Sequence, residues 1–349
     1  MNMPPRLAAL LVGAGLCAAG ALCHAAPQYT IRPLTQEFPP DVSVSTLDLN
    51  RLGHALVSTF QSGGGGSAYW LCRDDGCALV GDDRDTVIHG LNDLDELARS
   101  VYQGHGYAFL GDNPIGYGRG ACDYCGFGLN SDAYDGNNAG EATGWAEFSG
   151  VPGPLAFKYT KATGLVSLGT LGGSSSTGRR INKHGNVVGD STLSGDTGPH
   201  GFLYARGVMT DLGTLGGQKS SAMGVNSHDT VVGCSLLADN VTQRAFRYEA
   251  GVMSALPALT AGSSCALGIN DHGVAVGYSD GLNGARAVLF HKDGRVKNLN
   301  RLLEPVSGRG WTLTAATGIN QAGQIIGNGA YRGVSRAFIL TPVAPRAAR

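Results

Sequence analysis

Charged residues are scarce in this 349-residue chain, at 15% against a usual ~25%. Neither sign prevails. Lys and Arg number 26 against 27 Asp and Glu, with no cationic stripe, which excludes a basic nucleic-acid binder. The heptad composition of a coiled coil or helical bundle is missing. The glycines keep no three-residue period, which excludes collagen. No stretch beyond residue 26 is apolar enough to span a membrane. Disorder is excluded as well, because 42% of residues are hydrophobic and the net charge is only −1. What the chain has in excess is glycine. Its 55 Gly and 14 Pro make up about a fifth of the residues, against a usual ~12%.

Residues 1–26 read as a secretory signal peptide. Arg6 supplies a short positive region, Leu7 to Leu22 is an uncharged Ala/Leu/Gly run, and Cys23-His24-Ala25-Ala26 offers small residues for cleavage after Ala25 or Ala26. An uncleaved anchor is the rival reading, but the run is short for a span, which needs ~20 apolar residues. Leu16 and Leu22 precede the two signal cysteines, where lipid attachment wants a small residue. Cleavage leaves Cys72, Cys77, Cys122, Cys125, Cys234 and Cys265, an even count that suggests disulfides in an oxidising compartment. The mature chain then carries 25 basic and 27 acidic residues, a balance that indicates no polyanionic partner.

Internal repeats organise the rest. Ile181-Asn182-Lys183-His184-Gly185-Asn186-Val187-Val188-Gly189 recurs from Val225, Ile269 and Ile319 as apolar-Asn-x-x-Gly-x-apolar-apolar-Gly. Weaker copies start at Asn50, Asn92 and Asn137, although Asn130 also fits the start of the third. The turn positions 53, 95, 140, 185, 229, 273 and 323 lie 42, 45, 45, 44, 44 and 50 residues apart. A second element follows each Asn, as in His200-Gly201-Phe202, Arg244-Ala245-Phe246 and Arg336-Ala337-Phe338. A third is Asp211-Leu212-Gly213-Thr214-Leu215-Gly216-Gly217, matched by Ser167 to Gly173. Each unit thus holds four short strands, a to d, bounded by Gly, Asn and Asp. Asn at the first and Gly at the fourth turn position suit a type I a–b turn, and Asp95 and Asp229 replace that Gly. Helical periodicity is missing, apart from a short possibility at Asn300 to Glu304.

Four strands every ~45 residues predict a seven-bladed β-propeller of four-stranded antiparallel blades. The seventh unit lacks strand d, and Tyr29 to Leu34 reads as the spare strand that closes the ring. The organisation is a signal at 1–26, one propeller domain at 27–341 and a tail at 342–349, expected to be monomeric. The three elements together resemble the bacterial extracellular HAF-repeat family, most closely over 155–340. That resemblance implies secretion and a repeat fold; it implies no reaction and supplies no catalytic residues.

Several motifs carry chemical meaning of their own. Gly277-Tyr278-Ser279-Asp280-Gly281 has the nucleophile-elbow spacing, but Gly189-Asp190-Ser191 and Gly233-Cys234-Ser235 occupy equivalent places, so the match reads as repeat structure. Cys122-Asp123-Tyr124-Cys125 lacks a strand-to-helix context and reads as a local disulfide. Cys72 and Cys77 suit a cross-hairpin bridge. Cys234 and Cys265, paired partly by elimination, would staple neighbouring blades. His184, His228 and His272 recur as exposed turn residues. Asp132, Asp135 and Glu141, with Asn137 and Asn138, form an oxygen-rich patch where calcium is conceivable; no other cofactor is implied.

Binding is the first functional reading. The b–c links, such as Thr192 to Pro199 and Leu236 to Gln243, are longer than the a–b and c–d links and gather on one face with the d–a links. Tyr117, Tyr124, Tyr134, Trp145 and Trp311 are the candidate ligand-binding aromatics, for a surface glycan or a protein partner. The alternative is a secreted lyase or hydrolase working in the central channel. The inward repeat positions that can be placed are mainly Gly, Ser, Ala and apolar, which argues against it. Three or more His, Asp, Glu or Arg side chains converging in the channel would rank the enzyme first.

Overall fold

The computed structural model describes residues 28–34, 42–61, 65–82, 86–102, 106–115, 130–195 and 198–343. These form seven four-stranded antiparallel sheets, which are blades 1 to 7 at 42–82, 86–114, 131–169, 172–211, 216–255, 264–298 and 311–342. Strand a of each blade lies next to the central channel. Blade 7 takes its outermost strand from Tyr29–Pro33, which pairs antiparallel with Val334–Pro342, so the N-terminal segment closes the ring.

The repeated dipeptide Ala-Phe explains how blades stack. Neighbours in a strand face opposite sides of the sheet. Phe202 of blade 4 packs with Ala156 and Leu168 of blade 3, and Phe338 of blade 7 packs with Ala287 and Leu289 of blade 6. The preceding Ala turns the other way. Ala337 meets Val57 and Cys72 of blade 1 across the ring closure. Each large residue therefore fills the gap behind its blade, and each small one admits the blade ahead. Burying one such Phe contributes about 1.5–3 kcal/mol.

The Gly ending each Val-Val-Gly run also has a steric cause. A Cβ on Gly189 would sit 1.9 Å from the Thr177 carbonyl of strand a, and one on Gly233 1.9 Å from that of Ser221. Beside these contacts strand a carries a bulge, between Gly178 and Arg180 in blade 4 and between Ala222 and Gly224 in blade 5.

Two of the expected disulfides are present. Cys72–Cys77 crosses the c–d hairpin of blade 1, and Cys234–Cys265 joins blades 5 and 6. Cys265 lies within strand a of blade 6. The signal peptide, Cys122, Cys125, Tyr117 and Tyr124 lie outside the described residues. Blade 3 begins at Ser131 and turns at Asn137 to Gly140, which decides against Asn130. The short helical possibility reduces to one 3-10 turn, Leu299–Arg301, whose backbone Asn298 caps. The b–c links are long in blades 3, 4 and 5, at 147–154, 194–198 and 238–242; in blades 6 and 7 they shrink to the two-residue turns 282–283 and 332–333. There the length lies in the d–a links 256–263 and 299–310. Among the described residues no helix is long and apolar enough to cross a membrane.

Candidate functional site

The asparagine of every repeat does two things. Its Oδ1 accepts backbone N–H groups within the a–b turn, as Asn182 does from His184 and Asn186. Its Nδ2 donates to the backbone carbonyl of the corresponding asparagine in the next blade. The sequence runs Asn50, Asn92, Asn137, Asn182, Asn226, Asn270, Asn320 and back to Asn50, at 3.0–3.3 Å throughout. All seven are buried. The result is a closed belt around one mouth of the channel.

Two residues before each belt asparagine comes the bulge position. Blades 2, 5, 6 and 7 have Gly90, Gly224, Gly268 and Gly318 there; blades 1, 3 and 4 have Asp48, Asp135 and Arg180. These three side chains converge on the channel, whose cavity is about 220 Å³ at the belt mouth and about 160 Å³ deeper in. The expectation of mainly small or apolar inward positions does not hold in blades 1, 3 and 4. The bulge turns into the channel a column that regular alternation would not have placed there.

Both carboxylates are braces between blades. Asp48 accepts from Leu49 N at 2.8 Å and from Leu91 N of blade 2 at 3.0 Å. Asp135 accepts from Gly136 N and from Ile181 N of blade 4, each at 2.9 Å. Burial pushes the Asp135 carboxyl up to about 7, against the opposing pull of Arg180. Burial also works against the Arg180 charge, but Asp48 and Asp135 together hold its pKa above the ordinary arginine value. Its guanidinium makes no hydrogen bond among the described residues.

One position earlier, His89, Tyr134 and Arg179 occupy the register of Leu267 and Thr317, which line the channel. His89 Nε2 lies 3.2 Å from Asp132, and its ring is 4.5 Å from that of Tyr134. The Trp145 side chain lies near the Tyr134 hydroxyl and favours its ionised form. Burial raises the Tyr134 pKa, and the Asp132 charge adds to it. Arg179 pairs with Asp190 at 2.5 Å.

The predicted aromatics therefore divide. Tyr134 and Trp145 meet on the wall between blades 2 and 3, while Trp311 lies in blade 7 beside Tyr331. The oxygen-rich patch also disperses. Asp132 faces blade 2 through Ser100 and His89, Asp135 faces blade 4, and Glu141 holds Lys158 at 3.1 Å. Opposite faces of one blade keep the two aspartates apart. Among the described residues no three His, Cys, Asp or Glu side chains are grouped to hold a metal.

Ser279 is fully buried and accepts from Leu259 N, as Ser235 does from Leu215 N and Ser191 from Leu171 N. It is a repeat clamp and not a nucleophile. Ser100, Asp132 and His89 include the three residue types of a hydrolase triad, but the acid lies between the other two, so the imidazole does not touch the hydroxyl.

The sequence matches no protein-family profile and no curated protein. Among solved structures it is similar to an oligogalacturonate lyase from Vibrio parahaemolyticus, with a TM-score of 0.54 and 10% identity over 93% of this chain and 99% of that one. An oligogalacturonate lyase in complex with manganese gives 0.52 and 14% identity, over 93% and 98%. TolB from Acinetobacter baumannii gives 0.47 and 14% identity over 73% of this chain, which spans 62% of that one. At such identities the likeness is one of fold alone.

Proposed function

We propose that this chain is a secreted binding module of the HAF-repeat kind, whose ligand, a surface glycan or a protein segment, is held without turnover at the polar half of the channel. One observation carries the reading. Departures from the repeat at channel positions fall together in blades 1 to 4, whereas blades 5 to 7 keep Gly, Met, Leu and Thr there. A ring of glycines would satisfy the fold, and local departures from a consistent pattern mark functional sites. The free guanidinium of Arg180 and the edge of the Tyr134–Trp145 pair are the groups available to a ligand.

By number of converging groups the channel meets the mark set for an enzyme, and an Asp135 carboxyl near 7 suits acid–base work. Bonding keeps that reading second. Every oxygen of Asp48 and Asp135 already accepts a backbone N–H. The test is binding of the chain from residue 27 to an array of bacterial and plant polysaccharides, with calcium and with chelator. Arg180→Ala and Tyr134→Ala should each weaken a hit by about tenfold. A hit untouched by both variants removes the channel site, and a blank array directs the search to a protein partner. Release of reducing ends that Asp135→Asn abolishes would put the enzyme first.

A further inference from the structure

The repeat spacing is 42–45 residues until the last unit, where it reaches 50. The surplus lies in the link 299–310 ahead of Trp311. This link is built, not slack. Glu304 N donates to the Tyr29 carbonyl of the closing strand at 2.7 Å, and the Glu304 carboxylate caps Val306 N and Ser307 N at 3.0 and 2.7 Å. Arg332 N, in the b–c turn of blade 7, donates to the Gly310 carbonyl at 2.8 Å.

Link, turn and closing strand enclose a cavity of about 510 Å³ lined by Ile31, Pro33, Ser307, Trp311, Tyr331 and Arg336. Its size is that of a small-ligand site. Trp311 and Tyr331 are cross-strand partners with ring centres 5.4 Å apart, and Phe338 backs Trp311 edge-on at 6.0 Å. The half-buried indole N–H and the Tyr331 hydroxyl make no hydrogen bond among the described residues. Arg336 spends only Nη1, on the Ser335 carbonyl, and the Arg332 guanidinium lies over the Tyr331 ring at 5.2 Å. No carboxylate lines the cavity, and Glu304, the one acid of the link, is turned onto its own backbone.

We propose that this notch binds a uronic-acid residue of an acidic polysaccharide. A pyranose offers an apolar C–H face and a rim of hydroxyls, which match an aromatic wall edged with N–H and O–H donors. The sugar lies against Trp311, and its carboxylate takes the uncompensated guanidinium of Arg336. The site is independent of the channel reading and goes beyond it.

The test is titration of the mature chain with alginate oligosaccharides, and in parallel with neutral malto-oligosaccharides, followed by tryptophan fluorescence. Alginate should quench the signal and malto-oligosaccharides should not. Trp311→Ala should abolish binding, Arg336→Gln should weaken it about tenfold or more, and added salt should weaken it further. Trp311 packs on Phe338, so its variant is first checked for a native melting transition; the half-buried Arg336 carries the test if that check fails. No binding of alginate, equal binding of the neutral sugar, or full binding by Arg336→Gln overturns the proposal. Loss in Arg180→Ala without loss in Arg336→Gln also overturns it and places the sugar in the channel.

Discussion

A single amide makes each repeat part of a ring. Asn226 caps its own turn through Oδ1, by accepting from His228 N and Thr230 N, and reaches the Asn270 carbonyl through Nδ2. Asn226→Ala leaves buried donors and an acceptor unpaired at once, so it should cost about 2–3 kcal/mol in a urea unfolding titration. A loss near zero would mean that the belt is ornamental. Asp95 and Asp229 show the same economy. Both hold φ of 60° where other turns have Gly, and each accepts from the belt asparagine of the preceding blade at 2.9 Å. Asp135 makes a prediction about pH. Its folded pKa, about 7, lies above the ordinary carboxylate value, so the folded state binds the extra proton between them. Its contribution to stability is therefore present at low pH and is lost as pH rises through the interval from about 4 to 7. Melting temperatures of the wild type and Asp135→Asn across that interval should diverge, with the variant lacking this decline. Parallel curves would refute the assignment.

At the level of strands, one inter-blade contact is made in two chemistries. Between strand b of one blade and strand a of the next, Ser100 bonds to Asp132 and Asp190 to Ser221, where blades 5 and 6 have Cys234–Cys265. The covalent staple replaces a polar contact that the fold already provides. Cys234→Ser with Cys265→Ser should therefore still fold, while losing roughly 3–4 kcal/mol for its 31-residue separation. Cys72→Ser with Cys77→Ser opens a 5-residue separation and should lose about 2 kcal/mol. Denaturant midpoints of the two double variants, measured under oxidising conditions, check the order; a reversed order would defeat the chain-entropy account.

For the whole molecule, the ring divides into a polar half and a regular half. Blades 4 to 7 carry the clearest repeats and define the period and the turns, and the weaker copies at Asn50, Asn92 and Asn137 complete the count. Blades 1 to 3 depart most from the pattern and supply most of the channel's chemistry. Asp48, Asp135 and Arg180 were legible in principle, because each stands two residues before a belt asparagine whose repeat mates have Gly. The consensus glycine at this column masks them. Trp311 was legible as a candidate aromatic, but its partners Tyr331 and Arg336 stand on the next two strands of blade 7, and only the closed ring brings Ile31 and Pro33 to the same cavity.

The amino-acid sequence by itself determined the local pattern: seven units, four strands in each, an Asn-led turn, and a spare first strand to close the last blade. Those features follow from backbone preferences and from alternation along single strands, which act over a few residues. Tertiary structure decided which columns look inward, which carboxylates brace neighbouring blades, and that Tyr134 meets Trp145 while Trp311 does not. These depend on bulges and on contacts between strands some 30 to 270 residues apart. Such contacts exist only once neighbouring blades have packed, and the longest only once the ring has closed.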